Sequence, residues 1–210
     1  MIEIERRYDY EREEDLALLL SGAEPVKTER IEDAYLDTPD FRLMRADLWL
    51  RVRNGRALEL KEGKNILGKP HDTYHEYPFA FGDDPNGVKD IVAVAGLRGL
   101  PRDGTREAIE VWLAEQDIRP YVRYANNRRS YQRDGMRIDV DDINNGAVKM
   151  VEIELMVQSD DERVAAIERI EVLARASRLI PNKLGKVGAA LKGTGSSGYQ
   201  TYCDRFGINP

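Results

Sequence analysis

The sequence predicts an α+β fold in which helices pack on one face of an antiparallel β-sheet. Several segments alternate apolar and charged residues, which places the two kinds of side chain on opposite faces of a strand. Two such runs in DLWLRVRNGRALELKEG are joined by Asn54-Gly55, a dipeptide typical of a tight hairpin turn. Amphipathic stretches between and after the strands predict the helices that cover the apolar face.

The first half of the chain supplies strands and short helices in turn. It opens with a strand over residues 1–8, and EREEDLALLLSG then predicts a short helix, because acidic residues lead and a glycine follows the leucines. Alternation returns over residues 26–37, TPDF indicates a turn or helix start, and the hairpin and TYHEYPFAF supply further strands. The region from Asp84 to Gln116 predicts two helices, in VKDIVAVAGLRG and TREAIEVWLAEQ.

The second half of the chain also combines predicted strands and helices. Strands are predicted in PYVRYANNRRSYQR, GMRIDVDDI and VKMVEIELMV, and a long amphipathic helix covers about residues 160–178 before Pro181 ends it. A short helix in NKLGKVGAALKG precedes a Gly/Ser-rich stretch, which predicts a mobile tail within residues 193–210. No internal repeat or obvious linker divides the chain, so we expect one domain over residues 1–210.

Composition narrows the possible functions. A net charge of −6 over 210 residues argues against a protein that coats nucleic acid or an anionic membrane. The one cysteine, Cys203, excludes an internal disulfide framework and a cysteine-rich zinc site. The chain opens in a charged strand, and no run is long enough to span a bilayer, so we expect a cytoplasmic protein. His71 and His75 are interpreted as surface residues rather than metal ligands.

Charged side chains recur on one face of strand after strand. These faces carry Glu3, Glu5 and Arg7; Trp49, Arg51 and Arg53; Glu59 and Lys61; Arg137, Asp139 and Asp141; and Glu152 and Glu154. Such faces lie either in solvent, on an open sheet, or inside a closed barrel. Arginine suits phosphate oxygens and clustered carboxylates suit hard divalent cations, so the pattern indicates a site for a metal-bound polyphosphate. The pattern by itself leaves this interpretation and a solvated sheet equally open.

These segments resemble the CYTH, or triphosphate tunnel metalloenzyme, family. The family signature Glu-x-Glu-x-Lys is EIERR here, and matching segments follow in the family's order: AYLDTPDFRLMRADLWLRVR, LELK, YHEY, RRSYQR, RIDVDD, VEIEL and PNKLGK. The run LDTPDFRLMRADLWLRVR is most similar to the thiamine triphosphatase branch. The resemblance implies a closed eight-stranded antiparallel β-barrel, open at both ends as a tunnel, with helices packed outside it.

The resemblance also implies a site, residue by residue. One or two Mg²⁺ or Mn²⁺ ions would be held by Glu3, Glu5, Asp139, Glu152 and Glu154. The triphosphate would be held by Arg7, Arg51, Arg53, Lys61, Arg129 and Lys183, with Glu76 as an inward carboxylate of the substrate site. The expected catalytic residues are Glu3, Glu5 and Lys61. Trp49 either stacks on an organic group of the substrate or fills one end of the barrel. From the residues alone, Arg128 and Lys186 are as plausible as Arg129 and Lys183.

The implied function is metal-dependent hydrolysis of the terminal phosphoanhydride of a triphosphate, above all thiamine triphosphate to thiamine diphosphate and phosphate. Alternatives on the same fold are hydrolysis of inorganic triphosphate or of a nucleoside triphosphate, and adenylyl cyclisation. The alternatives that are not enzymes are a polyphosphate-binding module and an interaction protein whose charged sheet faces solvent. Arg7 replaces the family lysine and keeps its charge but not its geometry, which keeps the binding module open. The expected partner is a small-molecule triphosphate, without nucleic acid or membrane, and the expected state is a monomer or homodimer.

Overall fold

A computed structural model describes residues 2–63 and 74–209 of the chain. The prediction for His71 falls outside these residues, whereas His75 is exposed on a strand. Within the described ranges, every helix is too short or too polar to cross a membrane.

In the described residues nine strands form one sheet, and seven of its strand pairs are antiparallel. The strands are β1 Ile2–Asp9, β2 Glu24–Asp37, β3 Leu48–Arg53, β4 Ala57–Gly63, β5 Tyr74–Ala80, β6 Arg119–Arg133, β7 Met136–Ile143, β8 Val148–Val157 and β9 Ile180–Pro181. Their order across the sheet is β5, β4, β3, β2, β6, β7, β8, β1, β9. The predicted hairpin turn is confirmed, since Asn54 and Gly55 both adopt positive φ, 53° and 63°.

The sheet corrects the expected closed eight-stranded barrel. It has nine strands, and the ladder of pairings in the described part of the chain has two edges, β5 and β9. The ninth strand is only two residues long and pairs Pro181 with Tyr8 and Ile180 with Asp9. Because proline has no N–H, β9 cannot donate a ladder hydrogen bond there, and the sheet stops at this edge. The α+β class with an antiparallel sheet is confirmed.

The helices follow the predicted order, with one addition near the C-terminus. They are α1 Glu13–Leu20, α2 Arg42–Arg45, α3 Lys89–Ala95, α4 Arg106–Ala114, α5 Arg163–Ala176, α6 Gly185–Thr194 and α7 Gly198–Phe206. Thr105 begins α4 by accepting a hydrogen bond from the Ala108 N–H at 3.3 Å. The added helix, α7, lies in the predicted mobile tail, and Gly207 ends it in a left-handed conformation.

Packing divides the chain into two units, each with its own hydrophobic core. Among the described residues, unit 1 comprises residues 2–31 and 125–185, and unit 2 comprises residues 32–63, 74–124 and 186–209. The core of unit 1 is built from β1, β7 and β8 with α1 and α5, and that of unit 2 from β2, β3 and β4 with α2, α3 and α4. Strands β2 and β6 each continue from one unit into the other, and the single-domain assignment stays a prediction.

Candidate functional site

The carboxylates predicted as metal ligands gather on the polar face of unit 1. Glu5 in β1 lies opposite Glu154 in β8, and Asp139 in β7 lies opposite Glu152 in β8. Both neighbours of Asp139, Glu152 and Glu154 in sequence are buried in the core, and so is Ile4 before Glu5. Alternation therefore aims these carboxylates away from the core. Carboxylate oxygens within 4.8 Å of one another form two groups, Glu3 with Glu5 and Glu154, and Asp139 with Glu152 and Glu154. Because Glu154 belongs to both groups, the five residues form one acidic cluster.

Partial burial makes the charge of the acidic cluster costly. Glu5, Asp139 and Glu152 are buried, and the side chain of Glu154 is only 14% exposed. Burial, followed by the neighbouring carboxylates of Glu152 and Glu5, raises the pKa of Glu154 to about 8. A cation among these oxygens would relieve the repulsion, and a set of oxygen donors alone suits Mg²⁺ or Mn²⁺. The donor set therefore fits the implied metal.

Arg128 in β6 supplies positive charge to the acidic cluster. It donates from Nη1 to Asp139 at 2.5 Å and from Nη2 to Glu152 at 2.7 Å. Its Nε and Nη2 also donate to the two oxygens of Asp141, both at 2.8 Å. Burial opposes this charge, but the surrounding carboxylates outweigh burial and raise the pKa of Arg128. Arg128 therefore offsets part of the negative charge and holds three carboxylates in place.

The structure brings Arg128, and not the predicted Arg129, to the acidic cluster. Strands β6 and β7 are joined at Asp134-Gly135, where both residues have positive φ, 50° and 76°. The resulting register places Arg128 opposite Asp141 and Arg129 opposite Val140. Arg129 thus shares the strand face of the apolar residues and is exposed. An Asp-Gly pair is a strong hairpin signal, so this register could have been derived from the sequence.

Two more arginines border the acidic cluster. Arg7 lies opposite Glu152 in the register, and its Nε is 3.2 Å from an oxygen of Glu5. Arg137 donates from Nε to Asp139 at 3.1 Å. The sequence predicts Arg7 at the site, but it places Arg137 only on a charged strand face. The acidic cluster and its arginines together carry both signs of charge, which is what a site for a metal-bound phosphate requires.

Unit 2 has a charged face of its own, on β2, β3, β4 and β5. Arg51 is buried and donates to Glu59 from Nε at 2.8 Å and to the Tyr35 hydroxyl from Nη1 at 3.1 Å. Arg53 donates to both oxygens of Asp33, at 2.9 and 3.0 Å. Burial opposes ionisation of Asp33, but Arg53 and Arg51 outweigh it and lower the pKa of that carboxyl. The two predicted phosphate-binding arginines are thus each paired with a carboxylate.

The predicted lysines differ in their placement. The Nζ of Lys61 lies 2.6 Å from the carboxylate of Glu76, so these two predicted site residues pair with each other. Lys183 is exposed in the segment between β9 and α6. Lys186 in α6 is half-buried and interacts electrostatically with Asp33 of unit 2. No sequence signal separates the last two lysines, because a loop that leads into a helix has no alternation of faces.

Trp49 is packed among aromatic side chains of unit 2. It is buried, and its Nε1 donates to Asp47 at 2.9 Å. The ring of Phe206 stacks on it at 5.8 Å and the ring of Tyr202 lies at 5.9 Å, both from α7. The ring of Tyr35 meets its edge at 6.5 Å. This packing agrees with the space-filling role of Trp49 and leaves little of its surface for stacking on a ligand.

Clustered carboxylates suit a hard divalent cation and arginines suit phosphate oxygens, and the polar face of this antiparallel sheet presents both. The chain belongs to the CYTH domain family, whose sequence model matches residues 1–184. The matched range includes the whole acidic cluster and the arginines of both units. The family resemblance that the sequence motifs predict is thereby confirmed.

The chain is also similar in sequence to curated relatives. The chain is 29% identical over 154 residues to a thiamine-triphosphatase of Homo sapiens, and 28% identical over 150 residues to one of Macaca fascicularis. Each alignment covers 68% of this chain and 62% of the relative. The chain therefore matches less than two thirds of the length of these relatives.

Solved structures share the fold. A Pyrococcus horikoshii protein has a TM-score of 0.65 at 21% identity, with 91% of this chain and 99% of that chain covered. A Hippeastrum protein, described as having a dominant triphosphatase activity, has a TM-score of 0.57 at 19% identity. That match covers 91% of this chain and 95% of the Hippeastrum chain. At such identities the similarity shows the fold alone.

Proposed function

We propose that the protein is a metal-dependent triphosphatase that hydrolyses the terminal phosphoanhydride of a triphosphate. The observation that carries the proposal is the acidic cluster, with Arg128, Arg7 and Arg137 beside it. A site that binds only an anion gains nothing from five carboxylates, because like charges repel the ligand. A site for a cation and a polyphosphate needs both signs of charge, and membership of the CYTH family supports the same conclusion.

The acidic cluster is the proposed metal site. One or two Mg²⁺ or Mn²⁺ ions would be held by Glu3, Glu5, Asp139, Glu152 and Glu154, whose two groups share Glu154. When bound, such an ion neutralises phosphate oxygens and lowers the pKa of a coordinated water.

The arginines of unit 1 are proposed to bind the phosphate that is cleaved off. Phosphoryl transfer to water asks for positioning and for neutralisation of the phosphate oxygens rather than for a protein nucleophile. Carboxylates already hold Arg128 and Arg7, so their guanidinium groups need little rearrangement when the substrate arrives. Arg128 takes the place of the predicted Arg129 in this proposal, because only Arg128 lies on the polar face.

The basic residues of unit 2 stay predicted substrate ligands. Arg51, Arg53 and Lys61 are paired with Glu59, Asp33 and Glu76 respectively. The pairing keeps the buried charge of Arg51 and the half-buried charges of the other two tolerable without substrate. Lys61 also stays a predicted catalytic residue, since a fixed ammonium can stabilise charge that develops on phosphate oxygens. Lys186 in α6, which is half-buried, replaces the exposed Lys183 of the preceding segment as the proposed substrate ligand.

Two substrates are proposed, each on its own observation. Thiamine triphosphate follows from relatives that are named thiamine-triphosphatases, although the chain covers only 62% of their length. Inorganic triphosphate is favoured by Trp49, which Phe206 and Tyr202 cover, so that an organic group has little aromatic surface on which to stack. A cytoplasmic location and a monomeric or homodimeric state stay predictions.

The test is phosphate release from thiamine triphosphate, inorganic triphosphate and ATP, each with Mg²⁺, Mn²⁺ or EDTA. We expect metal-dependent release, and Glu5→Gln should reduce the rate at limiting metal by about 10- to 100-fold, as loss of a metal ligand or its support does. Glu14→Gln, which removes an exposed carboxylate of α1, is the matched control and should leave the rate unchanged. A Glu5→Gln protein with the wild-type rate at limiting metal would remove Glu5 from the metal site.

The substrate pattern separates the alternatives. Release from thiamine triphosphate alone supports the first substrate, and preference for inorganic triphosphate supports the second. Cyclic AMP formed from ATP would indicate the cyclase reaction. Tight triphosphate binding without release of phosphate would favour the non-catalytic polyphosphate-binding module.

A further inference from the structure

Arg7 stands where the family signature has lysine, and its guanidinium group lies against the backbone of Gly185. The Nε of Arg7 lies 3.2 Å from Glu5, and the side chain is 21% exposed. A Cβ added at Gly185 would overlap Nη1 of Arg7 and lie 3.3 Å from its Cζ. The far end of the arginine therefore occupies the space that a side chain at position 185 would need.

Hydrogen bonds tie the backbone around Gly185 to β1. The backbone N–H of Asn182 donates to the carbonyl of Arg7 at 2.9 Å. The side-chain Nδ2 of Asn182 donates to Asp9 at 2.6 Å. The N–H of Gly185 in turn donates to Oδ1 of Asn182 at 2.6 Å. Gly185 has a φ of +60°, a conformation that glycine adopts without steric cost. With this backbone held in place, a side chain at position 185 would displace the flexible end of Arg7.

We propose that Gly185 is a positioning residue that makes arginine functional at position 7. The guanidinium of Arg7 is a planar fork, a geometry that can hold two oxygens of one phosphate, and its Nη1 lies where a Cβ at position 185 would be. Lysine has a single ammonium and lacks the Nη branch that a Cβ at position 185 would meet. Gly185 thus leaves the space that the longer, branched arginine side chain needs at position 7. This inference rests on the proposed function, because the anion concerned is the triphosphate.

A double-mutant cycle with Gly185→Ala and Arg7→Lys tests the pairing. Binding of inorganic triphosphate to the full chain is measured by titration calorimetry in EDTA, and phosphate release with Mg²⁺ is measured separately. We expect Gly185→Ala to weaken binding about tenfold when residue 7 is arginine, since residues in contact show coupling of this size. When residue 7 is lysine, the same substitution should weaken binding less than about twofold.

Two further variants separate the contact from backbone strain. Gly195 has a φ of +62°, and a Cβ there meets nothing within 4 Å, so Gly195→Ala adds the same strain without the contact. It should leave triphosphate binding unchanged. Gly185→Asn carries the Cβ on a residue that tolerates positive φ, so it reproduces the Arg7-dependent loss even where Gly185→Ala folds poorly.

Each outcome decides one of the two proposals. An equal loss of binding with arginine and with lysine at position 7 overturns the pairing, whether or not the wild type releases phosphate. Coupled binding without phosphate release by the wild type supports the pairing and overturns the hydrolase. A wild-type protein that neither binds nor hydrolyses inorganic triphosphate overturns the pairing. If that protein also releases no phosphate from thiamine triphosphate or ATP, the proposed hydrolase function is overturned as well.

Discussion

Arg128 should contribute strongly to the stability of the metal-free protein, because it bridges three buried carboxylates. Its side chain is 13% exposed and donates four hydrogen bonds, to Asp139, Asp141 and Glu152. Removing one partner from a buried ionic network costs about 3–5 kcal/mol, since the remaining charges stay buried without compensation. Arg128→Gln should therefore lower the free energy of unfolding by about 3–5 kcal/mol at pH 7 in EDTA.

Urea unfolding followed by far-ultraviolet circular dichroism measures this loss. Arg129→Gln is the matched control, and it should change the free energy of unfolding by less than about 0.5 kcal/mol because Arg129 is exposed on the opposite strand face. Mg²⁺ at 100 times its Kd should return about 2.7 kcal/mol to the Arg128→Gln variant. Equal losses for the two variants, or a loss below about 1 kcal/mol for Arg128→Gln, would refute the assignment of Arg128 to the network.

Two further predictions concern charge and capping. Glu154 has a raised pKa of about 8 in the folded chain against 4.5, so its contribution to stability is present below about pH 4.5 and is lost as the pH rises through about 8. In EDTA, the free energy of unfolding should decline between pH 5 and 9 by up to about 4 kcal/mol less in Glu154→Gln than in the wild type, and an unchanged decline would contradict this. Asp37 accepts the N–H groups of Leu43 and Met44 at 2.9 and 2.8 Å, so Asp37→Asn should cost about 1–3 kcal/mol in urea unfolding. A loss below about 0.5 kcal/mol would show that this cap is unimportant.

The polar strand faces could be predicted because each of these strands carries apolar side chains on one face and charged side chains on the other. Glu5, Asp139 and Glu152 alternate with buried apolar residues, so they fall on one side without any knowledge of the tertiary fold. The choice between Arg128 and Arg129 needed one more step, the hairpin register, because adjacent residues in a strand always face opposite ways.

The prediction of a closed barrel failed, and helix α7 was not predicted, for two different reasons. Closure of a sheet depends on strand tilt and stagger, and a two-residue strand such as Ile180–Pro181 has too few residues to show alternation. Helix α7 follows a Gly/Ser-rich stretch, which obscures it. Tyr202 and Phe206, four residues apart and packed on Trp49, were the helical signal that could have revealed it.

The division into two units decides what optical experiments report. Both tryptophans of the chain, Trp49 and Trp112, lie in unit 2, whereas the acidic cluster and Arg128 lie in unit 1. Intrinsic tryptophan emission therefore samples the surroundings of unit 2, while the dichroism signal averages over the whole backbone. If the two signals change at the same urea concentration, the chain unfolds in a single cooperative step. If the dichroism changes first, unit 1 loses its structure while the tryptophans remain packed.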